Sequence, residues 1–246
     1  MLFKIQKCLD VDWYTKNFNE NIFFVDNLYD KIDISNDSNI FCFGSIEQIR
    51  NLIANHGQSE SLDHKFSYYN DMNINYFMPF IKSEYLNYDG YFKTVCQIGD
   101  KEIGKFCRSN SGNKVLSGQV LKDLYDINFF KQKLQDDDLL YFSDKKQFFS
   151  EWRFWIHDEE IIEYSMYMNH FSEYDSEGAW EIEEVIDYVN KINSYWTPND
   201  LFVIDVCVGK FGIKVVEYNC LSTSGFYNAN INKICEKLEE HKWIRN

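Results

Sequence analysis

The 246-residue chain has only two prolines, contains no CxxC pair, and has no apolar run that approaches the length of a membrane-spanning helix. Crossing a bilayer takes about 20 apolar residues, and the amino-terminal stretch also lacks the apolar segment of a signal peptide. The seven cysteines are odd in number and scattered, which favours neither a disulfide framework nor a thiolate zinc site. We therefore expect a cytoplasmic protein, in a host cytoplasm if it is viral, whose cysteines are small buried hydrophobic residues.

Histidine pairs and positive charge are also scarce. The five histidines form no HxH or HxxxH pair, and the sequence has no P-loop and no GxSxG motif, which disfavours a histidine metal site, a P-loop NTPase and a serine hydrolase. With 25 Lys and Arg against 39 Asp and Glu, the formal net charge is −14. General binding to nucleic acid or to an anionic membrane through a basic surface is not expected, and the oligomeric state is left open.

What the chain does contain is typical of a globular protein, since 45% of its residues are hydrophobic and 18% are aromatic. Residues 39–43 predict a buried strand, and Ser45 then begins a helix with one apolar stripe. This βα unit indicates an α/β lobe over residues 1–85. From residue 86 to 246, successive antiparallel hairpins and two amphipathic helices indicate a larger α+β domain.

A hairpin near the carboxyl end places acids among apolar residues. Its sequence, VIDVCVGKFGIKVVEYN, covers residues 203–219. A three-residue loop ending at Gly212, with that glycine in the left-handed conformation, would pair Asp205 with Glu217 on one face and bring Asn219 beside them. Directly opposed carboxylates repel each other, so this register predicts a cation between them. Two acids and an amide oxygen suit Mg²⁺.

Two alternatives stay open for this hairpin. A two-residue loop would pair Asp205 with Val216 and turn the carboxylate to the opposite face. The two acids could also be solvated side chains on an exposed sheet face. With the three-residue loop, the opposite face is a core that comprises Phe202, Ile204, Val206, Val208, Val216 and Tyr218.

Two earlier hairpins carry cations that suit a nucleotide. In the first, Arg108 ends a strand and Lys114 begins the next, and the loop between them includes Ser111. Loop amides and flanking cations favour phosphate binding, although such cations are more often simply solvated. In the second, Glu151 and Arg153 lie on one face of a strand. An arginine there could stabilise charge on a transferred phosphoryl group, or the two could form a surface ion pair.

The order of these motifs resembles that of the ATP-grasp superfamily. The segments FCRSNSGNKVLSG, EWRFWI and VVEYNCLSTSGFY look like those of short, often phage-encoded ATP-grasp domains with arginine in the phosphate-binding strand. The resemblance covers residues 100–230. It implies an α+β fold in which two α+β subdomains enclose ATP, with Mg²⁺ bridging its phosphates, preceded by a small α/β lobe.

The resemblance also implies roles for individual residues. The metal ligands would be Asp205, Glu217 and Asn219. The nucleotide would contact Arg108, Ser111, Lys114 and Tyr141, the last of these on an adenine-contacting strand, Leu139–Phe142. A second phosphate-binding lysine, usual in the superfamily, is not assigned.

The remaining assignments concern the reaction. Glu151 and Arg153 would line the cleft as catalytic residues. Ser222 and Ser224, with backbone amides at a predicted helix start, suit an acceptor carboxylate or acyl phosphate, although they could simply cap the last helix.

We expect an ATP- and Mg²⁺-dependent carboxylate–amine ligase of peptide type, acting through an acyl phosphate on small-molecule or peptide substrates. The alternative from another class is a catalytically silent module of viral origin that binds nucleotide or a host partner. A third hypothesis, an acidic surface that mimics nucleic acid, is motivated only by the net charge of −14.

Overall fold

The computed structural model describes residues 1–7, 9, 18–28, 40–56, 64–65, 72–110, 116–169 and 181–240. Within these ranges, twelve strands form three four-stranded sheets, and five α-helices and several 3-10 turns accompany them. None of the helices in this part of the chain is long and apolar enough to cross a membrane.

The amino-terminal sheet is parallel and has the order β2-β1-β3-β4. Its strands are β1 (Leu2–Gln6), β2 (Ile22–Val25), β3 (Ile40–Phe43) and β4 (His64–Lys65). After β3, Ser45 precedes α1 (Ile46–His56), and its hydroxyl accepts a hydrogen bond from the Gln48 amide at 3.3 Å. The predicted βα unit is therefore confirmed.

The central strand of this sheet, β1, is not predicted by the sequence analysis because a lysine interrupts its short apolar run. Lys4 is only 3% exposed, and its ammonium donates a hydrogen bond to the Leu28 carbonyl. The buried charge thus has a polar partner, as a buried ammonium requires.

The second sheet is antiparallel, with the order β5-β8-β6-β7. After α2 (Ile74–Phe77) come β5 (Tyr91–Thr94), β6 (Phe106–Ser109), β7 (Gln119–Val120), α3 (Leu124–Lys133) and β8 (Leu139–Ser143). Ile127 and Phe130 of α3 pack on Cys107, Leu140 and Phe142 of the strands. We call this unit the lid sheet.

The third sheet, which we call the large sheet, is antiparallel with the order β10-β9-β11-β12. Its elements are β9 (Phe148–His157), β10 (Glu160–Asn169), α4 (Ile182–Asn193), β11 (Leu201–Gly209) and β12 (Gly212–Cys220), followed by α5 (Ile231–Glu240). The second hairpin and both predicted helices are confirmed.

The large sheet is buried on both faces, which explains why all nine residues of β11 are buried. On one face, Phe154 and Ile204 pack against Val189 of α4. On the other, Trp155 and Val203 join an apolar cluster that includes the parallel sheet and α5. Asp205 therefore lies on a strand with little access to water.

The cysteines differ from the prediction in one case. Of the six cysteines in the described ranges, all are free, five are buried, and Cys96 is exposed. Cys8 lies outside the described residues. Cys96 follows directly after β5 in a surface 3-10 turn, where no element packs over it.

We expect brief alkylation with iodoacetamide at pH 8 to modify Cys96 in the native protein while sparing Cys42 and Cys107. Burial raises the pKa of each of these two thiols to about 12, and only the thiolate is reactive. Peptide mapping before and after denaturation measures this difference. Native labelling of Cys107 at the rate of Cys96 would show that the lid sheet opens readily.

Candidate active site

The predicted pairing of Asp205 with Glu217 is confirmed, although the loop is shorter than predicted. Gly209 pairs with Gly212, which leaves a two-residue loop instead of three residues. Gly212 has φ +88°, the left-handed conformation expected of it. The register then shifts before Asp205, because Val216 is an additional residue in β12. This bulge restores the pairing that a two-residue loop alone would have prevented.

The same bulge corrects one predicted core residue. Val215 is fully buried in the core, whereas Val216 lines a cavity on the other side of the strand. The other five predicted core residues of this face are buried: Phe202, Ile204, Val206, Val208 and Tyr218.

Asp205 lies in a cross-strand row between Arg153 on β9 and Glu217 on β12. Arg153 Nε donates to Asp205 Oδ1 at 2.8 Å, and Nη2 donates to Oδ2 at 2.7 Å. The third guanidinium nitrogen, Nη1, donates to the Gly225 carbonyl at 3.1 Å. The side chains of Arg153 and Asp205 are 5% and 1% exposed, so this bidentate pair is buried.

Two tyrosines complete the surroundings of Arg153. The rings of Tyr167 and Tyr227 stack with centroids 4.9 Å apart, and the guanidinium carbon lies 5.6 and 5.1 Å from the two centroids. Tyr227 has φ +49°, which is uncommon for a bulky residue. The Tyr167 hydroxyl also donates to Glu151 Oε2 at 2.6 Å. Arg153 is thus held by protein groups, and the predicted contact with substrate is not visible in its geometry.

Arg108 on β6 reaches across to the large sheet. Its Nη2 donates to Glu217 Oε2 at 2.5 Å, and its Nη1 donates to the Tyr88 hydroxyl at 3.2 Å. Burial opposes the charge of the guanidinium, but Tyr88 and Glu217 outweigh it and raise the pKa of Arg108 above its usual value. Asn219 Nδ2 donates to Asp205 Oδ2 at 3.1 Å and to Glu217 Oε1 at 3.0 Å.

The three side chains predicted to bind metal therefore contact one another. The positive groups beside the two carboxylates are the guanidinium groups of Arg153 and Arg108. The pairing of opposed acids correctly indicated nearby positive charge. It did not indicate that two arginines, both from other strands, would supply it.

These groups border a cavity of about 560 Å³ between the lid sheet and the large sheet. Its lining includes Arg108, Tyr141, Glu151 and Glu217 from the predicted set. Such a volume is typical of a small-molecule or cofactor site. Asp205, Asn219 and Arg153 lie behind this wall, in contact with the residues that form it.

Residues 83–238 match the model of an ATP-grasp domain family, the third family of its clade. The chain belongs to the ATP-grasp superfamily. The chain is also similar in fold to the D-alanine–D-alanine ligase of Bacillus anthracis, with TM-score 0.54 and 12% identity over 98% of this chain and 93% of that one. For the ATP complex of that ligase, the TM-score is 0.53 and the identity 12%, over 97% and 92% of the two chains. Comparison with curated protein sequences gives no match.

The ATP-grasp assignment confirms the predicted α+β fold class. It also supports the prediction of an ATP-dependent enzyme. The domain boundary at residue 85 and the roles of single residues stay predictions.

The donor set of this ATP-grasp domain fits Mg²⁺. Within the described ranges, no three His, Cys, Asp or Glu side chains form a metal cluster. A metal would therefore depend on the two carboxylates, the Asn219 amide oxygen, and oxygens of ligand or water. Mg²⁺ commonly uses one or two carboxylates together with substrate phosphates, so the chemistry of these residues agrees with that ion.

At the other end of the cavity, the structure adds residues that the sequence analysis missed. Lys145 and Lys146 follow β8 in the connection to β9, and both line the cavity. Lys146 Nζ lies 2.7 Å from Asp89 Oδ1 and donates to the Asn87 carbonyl at 2.9 Å. Two adjacent lysines directly after a predicted strand were the available signal.

Tyr141 borders the cavity as predicted, but mostly as a structural element. It is 1% exposed, and its hydroxyl oxygen accepts a hydrogen bond from the Gly90 amide at 2.6 Å. Burial raises the pKa of Tyr141 to about 12, so the hydroxyl stays protonated.

The remaining predicted contacts are outside the cavity lining or outside the described residues. Ser222 and Ser224 are 0% and 2% exposed. The Ser224 hydroxyl donates to the Cys220 carbonyl at 2.9 Å, and the Ser222 carbonyl accepts from the Gly44 amide at 2.8 Å. These serines join the 3-10 turn after β12 to the amino-terminal lobe, and α5 begins only at residue 231. Ser111 and Lys114 lie outside the described residues.

Proposed function

We propose that this ATP-grasp protein is an ATP- and Mg²⁺-dependent ligase that joins a carboxylate to an amine through an acyl phosphate. One observation carries the proposal: Arg108, Glu151 and Glu217 face the same cavity, and Asp205 and Asn219 contact Glu217 from behind. Cations and metal-binding oxygens at one point suit a polyphosphate.

Phosphate binding is proposed for Arg108, in the strand that carries arginine in the short phage-associated domains resembled by this chain. Asp205, Glu217 and Asn219 would hold Mg²⁺, which supplies positive charge where negative charge develops on the phosphoryl group. Arg153 acts through Asp205, because its bidentate contact fixes the orientation of that carboxylate.

Glu151 is the proposed general base. Its carboxylate faces the cavity, and the Tyr167 hydroxyl orients it from behind. When the amine attacks the activated acyl carbon, a C–N bond forms, the bond to phosphate breaks, and Glu151 accepts the proton released by the nitrogen. Tyr141, Lys145 and Lys146 would border the nucleoside end of the cavity.

The substrates are proposed as a small-molecule or peptide carboxylate and an amine. The structural relative from Bacillus anthracis is a D-alanine–D-alanine ligase, a reaction of this bond class. The described residues around the cavity contain no second site that would name the acceptor.

We expect Mg·ATP to bind the wild-type protein and Glu217→Gln to weaken that binding by about 10- to 100-fold, because a metal-holding carboxylate becomes a neutral amide. Isothermal titration measures both affinities. Glu183→Gln, which removes the same charge from the exposed face of α4, is the matched control and should bind like wild type. Equal affinities in all three proteins would refute the metal assignment.

A second function, a silent nucleotide- or partner-binding module, is favoured by one feature. Both acids next to the cavity are already neutralised by arginines, so the cluster also serves the fold. Incubation with Mg·ATP and a panel of amino acids and peptides separates the two: ADP release that depends on the panel supports the ligase, and binding without ADP release supports the module.

A further inference from the structure

The Arg108–Glu217 ion pair joins two separate sheets across the mouth of the cavity. Arg108 belongs to β6 of the lid sheet and Glu217 to β12 of the large sheet, and their side chains are 19% and 13% exposed. A second link runs in parallel, since Arg108 Nη1 donates to Tyr88 and the Tyr88 hydroxyl donates to the Val216 carbonyl. The cation closest to the metal-binding acids is thus already engaged.

The two buried acids differ in how firmly their arginines are held. Arg153 contacts both oxygens of Asp205, and that pair is 5% and 1% exposed. Arg108 contacts Glu217 through Nη2 while Nη1 is directed to Tyr88. The Glu217 pair also borders the cavity. An entering ligand can therefore reach Arg108 and Glu217 but not the Arg153–Asp205 pair.

The charges around the cavity are balanced. Its lining has three cations, Arg108, Lys145 and Lys146, and three acids, Asp144, Glu151 and Glu217. A polyphosphate without metal adds negative charge to this balance. To take Arg108 it must also leave Glu217, which is 13% exposed, without its guanidinium partner, and a partly buried carboxylate that loses its cation is unfavourable.

A divalent cation removes that cost, because it replaces the guanidinium at Glu217 while Arg108 turns to phosphate. We infer that Glu217, through its ion pair with Arg108, selects metal-bound nucleotide and rejects the metal-free form. This inference rests on the proposed function, since it concerns the same nucleotide site. It adds a role for Glu217 that is opposite in sign to metal binding: without metal, the carboxylate should oppose nucleotide.

The test measures ADP binding by isothermal titration in EDTA and in excess Mg²⁺. In EDTA, we expect Glu217→Gln to bind ADP about tenfold more tightly than wild type, since the amide releases Arg108. In Mg²⁺, the same variant should bind more weakly than wild type. Circular dichroism and thermal melting confirm that each variant is folded.

Glu151→Gln is the matched control for charge alone. Glu151 also lines the cavity, but its partner is Tyr167, so its substitution should tighten metal-free ADP binding much less. In the double variant Arg108→Gln/Glu217→Gln, the gain should disappear, because no guanidinium is released. Arg108→Lys, which keeps the charge, provides a second comparison if the double variant unfolds.

Equal tightening by Glu217→Gln and Glu151→Gln, or no tightening by either, would overturn the inference, while Mg·ADP binding by wild type would leave the proposed function intact. If no protein binds ADP or tripolyphosphate under either condition, both the inference and the proposed function are wrong. Tighter metal-free binding confined to Glu217→Gln, and abolished in the double variant, would support the selection mechanism.

Discussion

Replacing Arg153 with methionine is expected to lower the free energy of unfolding by about 3 to 5 kcal/mol. The substitution leaves Asp205, which is 1% exposed, without the bidentate partner that neutralises it. The hydrogen bond from Asn219 to Asp205 remains, but a single neutral amide does not replace a guanidinium. Urea unfolding of wild type and variant measures the difference.

The control for this prediction is the double variant Arg153→Met/Asp205→Leu. Removing both charges eliminates the buried unpaired carboxylate, so the double variant should recover much of the loss, as replacement of a whole buried pair often does. A loss below about 1 kcal/mol for Arg153→Met, the range of exposed pairs, would mean that water reaches Asp205 and that the pair is not buried in solution.

Gly90→Ala is expected to cost about 3 kcal/mol of stability, because the added methyl has no space. A Cβ at Gly90 would lie 1.7 Å from the Phe142 carbonyl oxygen and 2.8 Å from its carbonyl carbon. Both atoms belong to the backbone of β8, so a side-chain rotation cannot relieve the clash. The Gly90 amide also donates to Tyr141, so displacement of this segment should weaken nucleotide binding in the cavity as well.

Gly99→Ala provides the comparison within the same subdomain. Nothing lies within 4 Å of a Cβ at Gly99, and its φ of −145° is allowed for alanine. This variant should be within about 0.5 kcal/mol of wild type or slightly more stable. If thermal unfolding shows equal losses for the two variants, the close approach of Gly90 to β8 is not what limits substitution there.

The fold was largely predictable from short-range patterns. Alternating residues and turn signals predicted the hairpin of β9 and β10, and apolar stripes predicted α1, α4 and α5. β1 was missed because its central position buries a lysine, Lys4. The helix α3 was missed as well; its apolar residues include exposed Leu124 and Tyr125, so they do not form one clear stripe.

The register of the metal hairpin shows a different limit. Asp205 and Glu217 do face each other, but through a two-residue loop and a bulge at Val216 instead of a three-residue loop. Loop length and bulge offset each other by one residue, so the predicted pair was correct while one core residue was not. A bulge has no reliable signature in a single sequence, because tertiary packing selects it.

The sequence by itself determined which acids are neighbours, because side-chain alternation and a tight turn act over a few residues. Only the tertiary structure decided which cations neutralise them. Arg153 lies 52 residues from Asp205, and Arg108 lies 109 residues from Glu217. The energy of those pairs depends on burial and on the packing of separate sheets, and neither is encoded in the spacing of residues along one strand.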